Sequence, residues 1–181
     1  MRSSVLTLAT TCPAPSGRRA NIPPRCSLRN NGSPEWNRGL VTVDVDSPLF
    51  SIVVPTFNRE DHIGRCLESL VRQSCKDFEV VVVDNASTDG TVDAVLSFDG
   101  RLDVKVLVND SNRERSFSRN RGAEHARGVF VVFLDSDDEL RPDSLELAAA
   151  FVEADSRHRF FFQLLTIVDE VGATVYEPVV R

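Results

Sequence analysis

Three short runs of mostly apolar, β-branched residues, separated by stretches with helical spacing, constrain the fold of this chain most strongly. The runs occupy residues 51–54, 78–83 and 129–134, and each stops abruptly at polar residues. A near-continuous apolar run of this length is typical of a strand that is buried on both faces, as in a parallel sheet. Strands that alternate with helical patterns indicate βαβ construction. We therefore predict an α/β protein built around a mostly parallel sheet.

Local signals predict where several of these elements begin and end. Pro55 should end the first strand, because proline cannot donate a hydrogen bond to a sheet. Asp61 is predicted as the N-cap of a helix over 62–73, whose apolar residues share one face. Gly128 is expected to terminate the helix before the last of the three strands, and Pro142 to lie in the first turn of a later helix. The other predicted elements are strands at 104–108 and 160–165, helices that begin near 92, within 112–127 and at 141–154, and a hairpin turn at 169–172.

The first 48 residues differ in composition from the rest of the chain. They contain six of the nine prolines, six arginines and three acids, so their formal charge is +3, whereas the remaining 133 residues carry −9. A segment rich in Pro, Arg, Ser and Asn cannot bury enough apolar surface to offset the entropy lost when it orders. We expect a disordered arm over 1–48 and one domain over 49–181. The charge of that domain argues against nucleic acid as a partner, because phosphate backbones attract basic faces.

Sequence signals for membranes, secretion and structural metals are weak. No stretch approaches the roughly 18 apolar residues of a membrane span. Residues 5–10 are too short and too polar for a secretory signal, which needs an apolar run of about 7–15 residues. We expect a cytoplasmic protein without a transmembrane segment, and peripheral association with a membrane stays open. The four cysteines lack disulfide or zinc spacing, and Cys66 is predicted to be a packed thiol.

The third apolar run ends in three carboxylates within four positions, Asp135, Asp137 and Asp138. One interpretation is an acidic turn before a helix, since Asp is favoured at turns and N-caps. The other is a site for a hard cation, which prefers oxygen ligands. The other two runs also end in polar residues, including Thr56 and Asp84. Because the carboxyl ends of parallel strands open on the same side of a sheet, we expect one shared crevice, which favours the cation site.

Four motifs in this part of the chain resemble the family 2 glycosyltransferases of GT-A fold, and they occur in the family's order over about residues 50–145. The motifs are SIVVPTFNR at 51–59, VVVDNASTDGT at 81–91, SRNRG at 118–122 and FLDSDD at 133–138. The resemblance implies a Rossmann-like, three-layer sandwich of the nucleotide-diphospho-sugar transferases. It also implies a nucleotide-sugar donor, usually a UDP-sugar, bound over the crevice with Mg²⁺ or Mn²⁺ as cofactor.

The same resemblance implies roles for residues that would contact the nucleoside. Pro55, Thr56 and Asn58 would line the nucleotide pocket, and Asp84 would hydrogen-bond the base. These positions follow the first two strands of the predicted sheet. They are therefore expected at the edge where α/β folds bind ligands.

Three further residues would contact the diphosphate, the ribose and the cation. By the resemblance, Arg119 would approach the diphosphate, Asp135 would touch the ribose and Asp137 would ligate the metal. A cation there would stabilise the charge that develops on the departing nucleoside diphosphate. Family members generally invert the anomeric carbon in one displacement, helped by a carboxylate base that takes the acceptor's proton.

The resemblance does not supply that base. In the family it lies well beyond the acidic motif, in a C-terminal half that also builds the acceptor pocket, whereas this sequence ends 44 residues after Asp137. We assign no catalytic base and expect a glycosyltransferase that lacks its acceptor half, with a glycan, lipid-linked or protein acceptor left open. The alternative is a non-catalytic nucleotide-sugar-binding fragment or module. A flavodoxin-like signalling domain is disfavoured, because it would need acids after the first strand, where Pro55 and Thr56 stand.

Overall fold

Two four-stranded sheets and four helices make up the described part of the chain. The structure, a computed structural model, describes residues 3–7, 47–154, 164–168 and 174–176. The elements are β1 Ser3–Thr7, β2 Phe50–Thr56, α1 Ile63–Val71, β3 Phe78–Asp84, α2 Thr91–Leu96, β4 Val104–Val108, α3 Arg115–Glu124, β5 Phe130–Phe133, β6 Asp138–Leu140, α4 Ser144–Ala154, β7 Leu164–Val168 and β8 Thr174–Tyr176.

The central sheet has the order β4-β3-β2-β5, and every neighbouring pair in it is parallel. β2 is buried along its whole length, as its run of β-branched residues predicts. In its register with β3, Thr56 lies opposite Asp84, so the polar ends of the two strands are side by side. The predicted α/β fold around a mostly parallel sheet is confirmed.

Both faces of the central sheet carry buried apolar side chains. On one face, Ile52 and Val54 belong to the main core together with Leu67 of α1 and Leu145 of α4.

Cys66 of α1 is part of this core and is almost completely buried, which confirms the predicted packed thiol. Burial raises the pKa of the Cys66 thiol well above its ordinary value, and the nearby carboxylates of the acidic run raise it further. The thiol is therefore neutral and serves packing.

The second sheet has the order β6-β1-β7-β8. β1 pairs parallel with β6 and antiparallel with β7, and β7 pairs antiparallel with β8. The structure thus differs from the expected disordered arm at residues 3–7, while residues 8–46 lie outside the described residues. Of the predicted strand at 160–165, the described part begins at Leu164, and the predicted hairpin turn at 169–172 lies outside the described residues.

The prediction that Pro55 ends the first strand is wrong, because β2 continues to Thr56. Backbone N–H and C=O groups of residues two apart in a strand point to the same edge of that strand. The Val53 carbonyl accepts a hydrogen bond from the Leu134 amide of the segment after β5, so an N–H at position 55 would point to the β5 side as well. The pairing of β5 with β2 ends at Phe133, opposite Val53. The missing N–H of Pro55 therefore points beyond the last paired residue, where the sheet needs no donor.

Three other boundary predictions are wrong for local reasons. α1 begins at Ile63 without a side-chain cap, because the amides of 62 and 63 bond to the Arg59 carbonyl in a preceding turn, so Asp61 is not the N-cap. α3 ends at Glu124, four residues before Gly128, so that glycine does not terminate it. Pro142 precedes α4 instead of lying in its first turn, and the short strand β6 was not predicted.

A buried carboxylate secures the edge of the sheet that is opposite the polar strand ends. Glu79 of β3 is 3% exposed and accepts hydrogen bonds from the Ser51 hydroxyl at 2.5 Å and from the Arg127 amide and guanidinium at 2.6 and 2.8 Å. Burial alone raises the pKa of Glu79, but the hydrogen bonds from Ser51 and Arg127 outweigh burial and hold the pKa below its ordinary value. The charged form of Glu79 therefore stabilises the folded chain.

We expect Glu79→Gln to lower the free energy of unfolding at pH 7 by about 1–3 kcal/mol, because it removes a buried acceptor for Arg127. Since the folded pKa of Glu79 lies below the ordinary value of 4.5, its contribution is fully present above that value and is lost as the pH falls through the folded pKa. Urea unfolding should show that the difference in free energy of unfolding between variant and wild type shrinks as the pH falls below 4.5. The exposed Glu153→Gln is the matched control, and a difference that stays constant with pH would contradict this assignment.

Candidate functional site

A cleft of about 250 Å³ opens at the carboxyl ends of the central strands. Its walls come from the ends of β2 and β3, from the turn after β5 and from the segment that joins β4 to α3. The residues that line it are Pro55, Thr56, Phe57, Arg59, Asn85, Asn112, Arg113, Arg115, Ser118, Asp135, Ser136 and Asp137. Four of the residues predicted for the site, at positions 55, 56, 135 and 137, are therefore brought together.

The acidic run forms a turn and lines the cleft at the same time. The amide of Asp138 donates to the carbonyl of Asp135 at 3.0 Å, which closes the turn. The side chain of Asp135 is one-third exposed and contacts Arg119 at 2.6 Å and Arg115 at 3.6 Å. The carboxylate of Asp137 is about half exposed and lies 3.9 Å from the guanidinium of Arg59. The two interpretations of the run are thus compatible.

The charges around the cleft suit an anion together with a cation. Three arginines, Arg59, Arg113 and Arg115, line it with two carboxylates, and Arg119 reaches one of those carboxylates from α3. Arginine recognises phosphate oxygens with paired donors. Within residues 47–154 and the three short strands that are described, no group of three or more His, Cys, Asp or Glu side chains is placed to hold a metal. Mg²⁺ is commonly held by one or two carboxylates with phosphate oxygens and water completing its shell, so the donor set fits such an ion.

Two polar atoms, on residues that line the cleft or bond to its lining, are buried without a hydrogen-bond partner among the described residues. They are the hydroxyl oxygen of Thr56 and Nε of Arg119. Thr56 is 4% exposed and lines the cleft. Since buried polar groups in folded proteins are almost always hydrogen-bonded, the Thr56 hydroxyl points to a ligand that supplies the missing partner.

Asn58 and Asp84 brace the cleft and are not among its lining residues. Asp84 is buried and accepts hydrogen bonds from the amide and hydroxyl of Ser87. Asn58 donates its amide to the same hydroxyl and accepts from the amide of Thr88 at 2.9 Å. Asn58 and Ala86 have φ angles of 48° and 65°, a left-handed conformation that costs about 1–2 kcal/mol for a residue such as alanine. The loops after β2 and β3 are therefore fastened to each other.

Comparison with known proteins decides the family. A family model described as Glycosyl transferase family 2 matches residues 51–175. The chain belongs to glycosyl transferase family 2. The match covers all four motifs and the strand ends that form the cleft.

Curated relatives and solved structures agree with the family. The PGL/p-HBAD biosynthesis glycosyltransferase of Mycobacterium tuberculosis is 39% identical over 108 residues, which cover 59% of this chain and 42% of that protein. A crystal structure of Staphylococcus aureus TarS 1–349 in complex with UDP-GlcNAc matches with a TM-score of 0.56, 39% identity and coverage of 59% and 32%. The mannosyltransferase PcManGT from Pyrobaculum calidifontis, in complex with GDP-Man and Mn²⁺, matches with a TM-score of 0.54, 32% identity and the same coverage. The predicted GT-A fold is confirmed, and the chain spans less than half of each of these proteins.

The family 2 motifs did not predict the wall formed by the segment between β4 and α3. Asn112 and Arg113 of this segment line the cleft, and so does Arg115 at the start of α3. The signal that would have found them is the position of Asn109 directly after Val108, the last residue of β4. β4 is parallel to its neighbour, so its carboxyl end opens on the same side as the others.

None of the helices in the described part of this family 2 chain has the length and apolar character needed to cross a membrane.

Proposed function

We propose that this chain binds a nucleotide-diphosphate sugar, with UDP as its nucleotide, and takes part in transferring the sugar to an acceptor. The single observation that carries the proposal is the buried hydroxyl of Thr56, which lines a cleft rich in arginine and carboxylate and has no hydrogen-bond partner within the part of the chain that the structure describes. The UDP-GlcNAc and GDP-Man in the TarS and PcManGT structures support a nucleotide sugar as its ligand. In this proposal, residues 49–181 form the donor domain, and the 1–48 segment contributes β1 to its second sheet.

In the proposed donor site, the arginines bind the diphosphate and the carboxylates bind the cation. Arg59, Arg115 and Arg119 attract the diphosphate, and Arg119 also orients Asp135 through their 2.6 Å hydrogen bond. Asp137, with Asp135 beside it, would hold Mg²⁺ or Mn²⁺, because carboxylate oxygens suit hard cations. The cation would act as a Lewis acid that offsets the charge left on the nucleoside diphosphate.

The proposed transfer is one displacement with inversion at the anomeric carbon. The bond from that carbon to the diphosphate oxygen breaks, and a bond to the acceptor oxygen forms. The acceptor's proton passes to a general base, which is not among the residues assigned here, and the nucleoside diphosphate leaves. Transfer of sugar from a UDP-sugar to a supplied acceptor distinguishes this function from that of a nucleotide-sugar-binding module.

Titration of UDP into wild type and Thr56→Val, both with Mn²⁺, tests the proposed site. If the hydroxyl bonds to the ligand, the variant should bind UDP roughly two- to tenfold more weakly. Its melting temperature should stay the same or rise, because a methyl group replaces a buried hydroxyl that has no partner among the residues described.

Thr91→Val is the matched control for stability. Its hydroxyl is also buried, but it accepts from the Arg59 amide at 2.8 Å and donates to Asp89. This variant should therefore melt at a lower temperature. Wild type that fails to bind UDP in the presence of Mn²⁺ would overturn the proposed function, and Thr56→Val with wild-type affinity would remove the observation that carries it.

A further inference from the structure

The side chain of Asn85, at the end of β3, uses all of its hydrogen-bonding capacity inside the protein. Its oxygen accepts from the side-chain amide of Asn109 at 2.8 Å and from the backbone amide of Arg113 at 3.0 Å. Its nitrogen donates to the side-chain oxygen of Asn112 and to the carbonyl of Arg113, both at 2.7 Å. Asn85 is 7% exposed. Because an amide has two donor hydrogens and one oxygen with two lone pairs, a ligand atom would have to displace an existing bond.

These bonds hold the wall of the cleft that is formed by Asn112 and Arg113 between β4 and α3. The Asn85 side chain hydrogen-bonds to both the backbone amide and the backbone carbonyl of Arg113, and Arg113 and Asn112 line the cleft. The guanidinium of Arg113 lies 4.4 Å above the ring of Phe117 on α3. The position of this cationic wall therefore depends on one buried side chain.

Asn109 extends the network from the end of β4 to α3. Its side-chain nitrogen also donates to the hydroxyl of Ser118 at 3.0 Å, and its side-chain oxygen accepts from the guanidinium of Arg121. The network thus joins the ends of β3 and β4 to the helix that carries Arg119. A substitution at Asn85 should therefore displace residues 112 and 113, to which it bonds, and the start of α3.

We propose that Asn85 is a positioning residue that sets the Asn112–Arg113 wall of the donor site, and that this role requires a neutral amide. The inference rests on the proposed nucleotide-sugar site. A carboxylate at position 85 would keep both acceptor bonds but would have no hydrogen to donate. It would place lone pairs against the Arg113 carbonyl, which now lies 2.7 Å from the Asn85 nitrogen. Asn112 can turn its own amide to compensate, whereas a backbone carbonyl cannot.

The test compares Asn85→Asp with wild type and with Asn120→Asp, which adds the same charge at an exposed position on α3 outside this network. With Mn²⁺ at pH 8, UDP should bind roughly tenfold or more weakly to Asn85→Asp, and Asn120→Asp should bind like wild type. Amide hydrogen exchange followed by NMR should be faster at residues 112–114 of Asn85→Asp, with the β3 amides still protected. Lowering the pH should bring the dissociation constant of UDP for Asn85→Asp closer to that for wild type, so that their ratio approaches one, because a protonated carboxyl can donate to the Arg113 carbonyl.

The charged groups around position 85 are Asp84 on the same strand end, Arg113 between β4 and α3 and Arg121 on α3. Wild type contains all three, so the ratio of the two dissociation constants measured at the same pH cancels their common contribution. Unchanged exchange at 112–114, equal weakening by both variants, or a ratio that does not approach one at low pH would overturn the inference. If wild type does not bind UDP, the proposed function fails and the exchange data alone decide the role of Asn85.

Discussion

Asp137→Asn is expected to remove most of the effect of Mn²⁺ on UDP binding. With Mn²⁺ present, the dissociation constant of UDP should rise by roughly a hundredfold, since losing even an outer-shell partner of a metal site costs about 10–100-fold. Asn keeps the size of the side chain but contributes a neutral amide oxygen in place of a carboxylate. The Asp137 carboxylate lines the cleft and is about half exposed, so the substitution should leave the melting temperature close to that of wild type.

Binding of UDP without Mn²⁺ supplies the second half of this test. The guanidinium of Arg59 lies 3.9 Å from Asp137, so removing the carboxylate leaves more positive charge for the diphosphate. Metal-free binding to the variant should therefore equal or slightly exceed that of wild type. Asp143→Asn is the matched control, because Asp143 is about half exposed and lies 3.4 Å from Arg141 outside the residues that line the cleft. Binding that responds to Mn²⁺ equally in Asp137→Asn and wild type would show that Asp137 does not hold the cation.

The parallel sheet and the approximate place of the cleft could be predicted because both depend on periodicity. The apolar runs that became β2, β3 and β5 are long enough to identify a parallel sheet, and the rule for strand ends then places their polar residues at one edge. The same rule applied to β4 would have included the Asn109 network. That strand was predicted, but the segment after it was interpreted only as a loop before a helix.

The directions of individual side chains could not be predicted in this way. Asp84 and Asn58 follow their strands as expected, yet the loop conformations turn them toward Ser87 and Thr88 and away from the cleft lining. The positive φ angles at Asn58 and Ala86 produce those turns. No periodic pattern encodes such angles, because they depend on hydrogen bonds between two loops that are about 30 residues apart in the sequence.

Gly128→Ala is expected to lower the free energy of unfolding by about 3 kcal/mol, the upper end of the usual cost of overpacking. A Cβ atom at this position would lie 2.6 Å from the backbone carbon of Phe50 and from the backbone nitrogen of Ser51. It would also lie 2.7 Å from the Ser51 hydroxyl. Backbone atoms in the centre of a sheet cannot move aside as a flexible side chain can. The sequence position suggested a helix terminator, whereas the packing requires a residue without a side chain.

Gly64→Ala is the matched control, because no atom lies within 4 Å of a Cβ at that position in α1. It should raise stability by about 0.5–1 kcal/mol, since alanine loses less backbone entropy than glycine in a helix. Urea unfolding at pH 7 measures the free energy of unfolding of both variants. A change for Gly128→Ala as small as that for Gly64→Ala would show that the backbone of β2 moves away from position 128 at little cost. The amide of Gly128 also donates to the Ser51 hydroxyl, which bonds to Glu79. A shift at Gly128 therefore disturbs both the Glu79 carboxylate and the start of β5. Because β5 leads directly to Asp135, UDP affinity should fall as well.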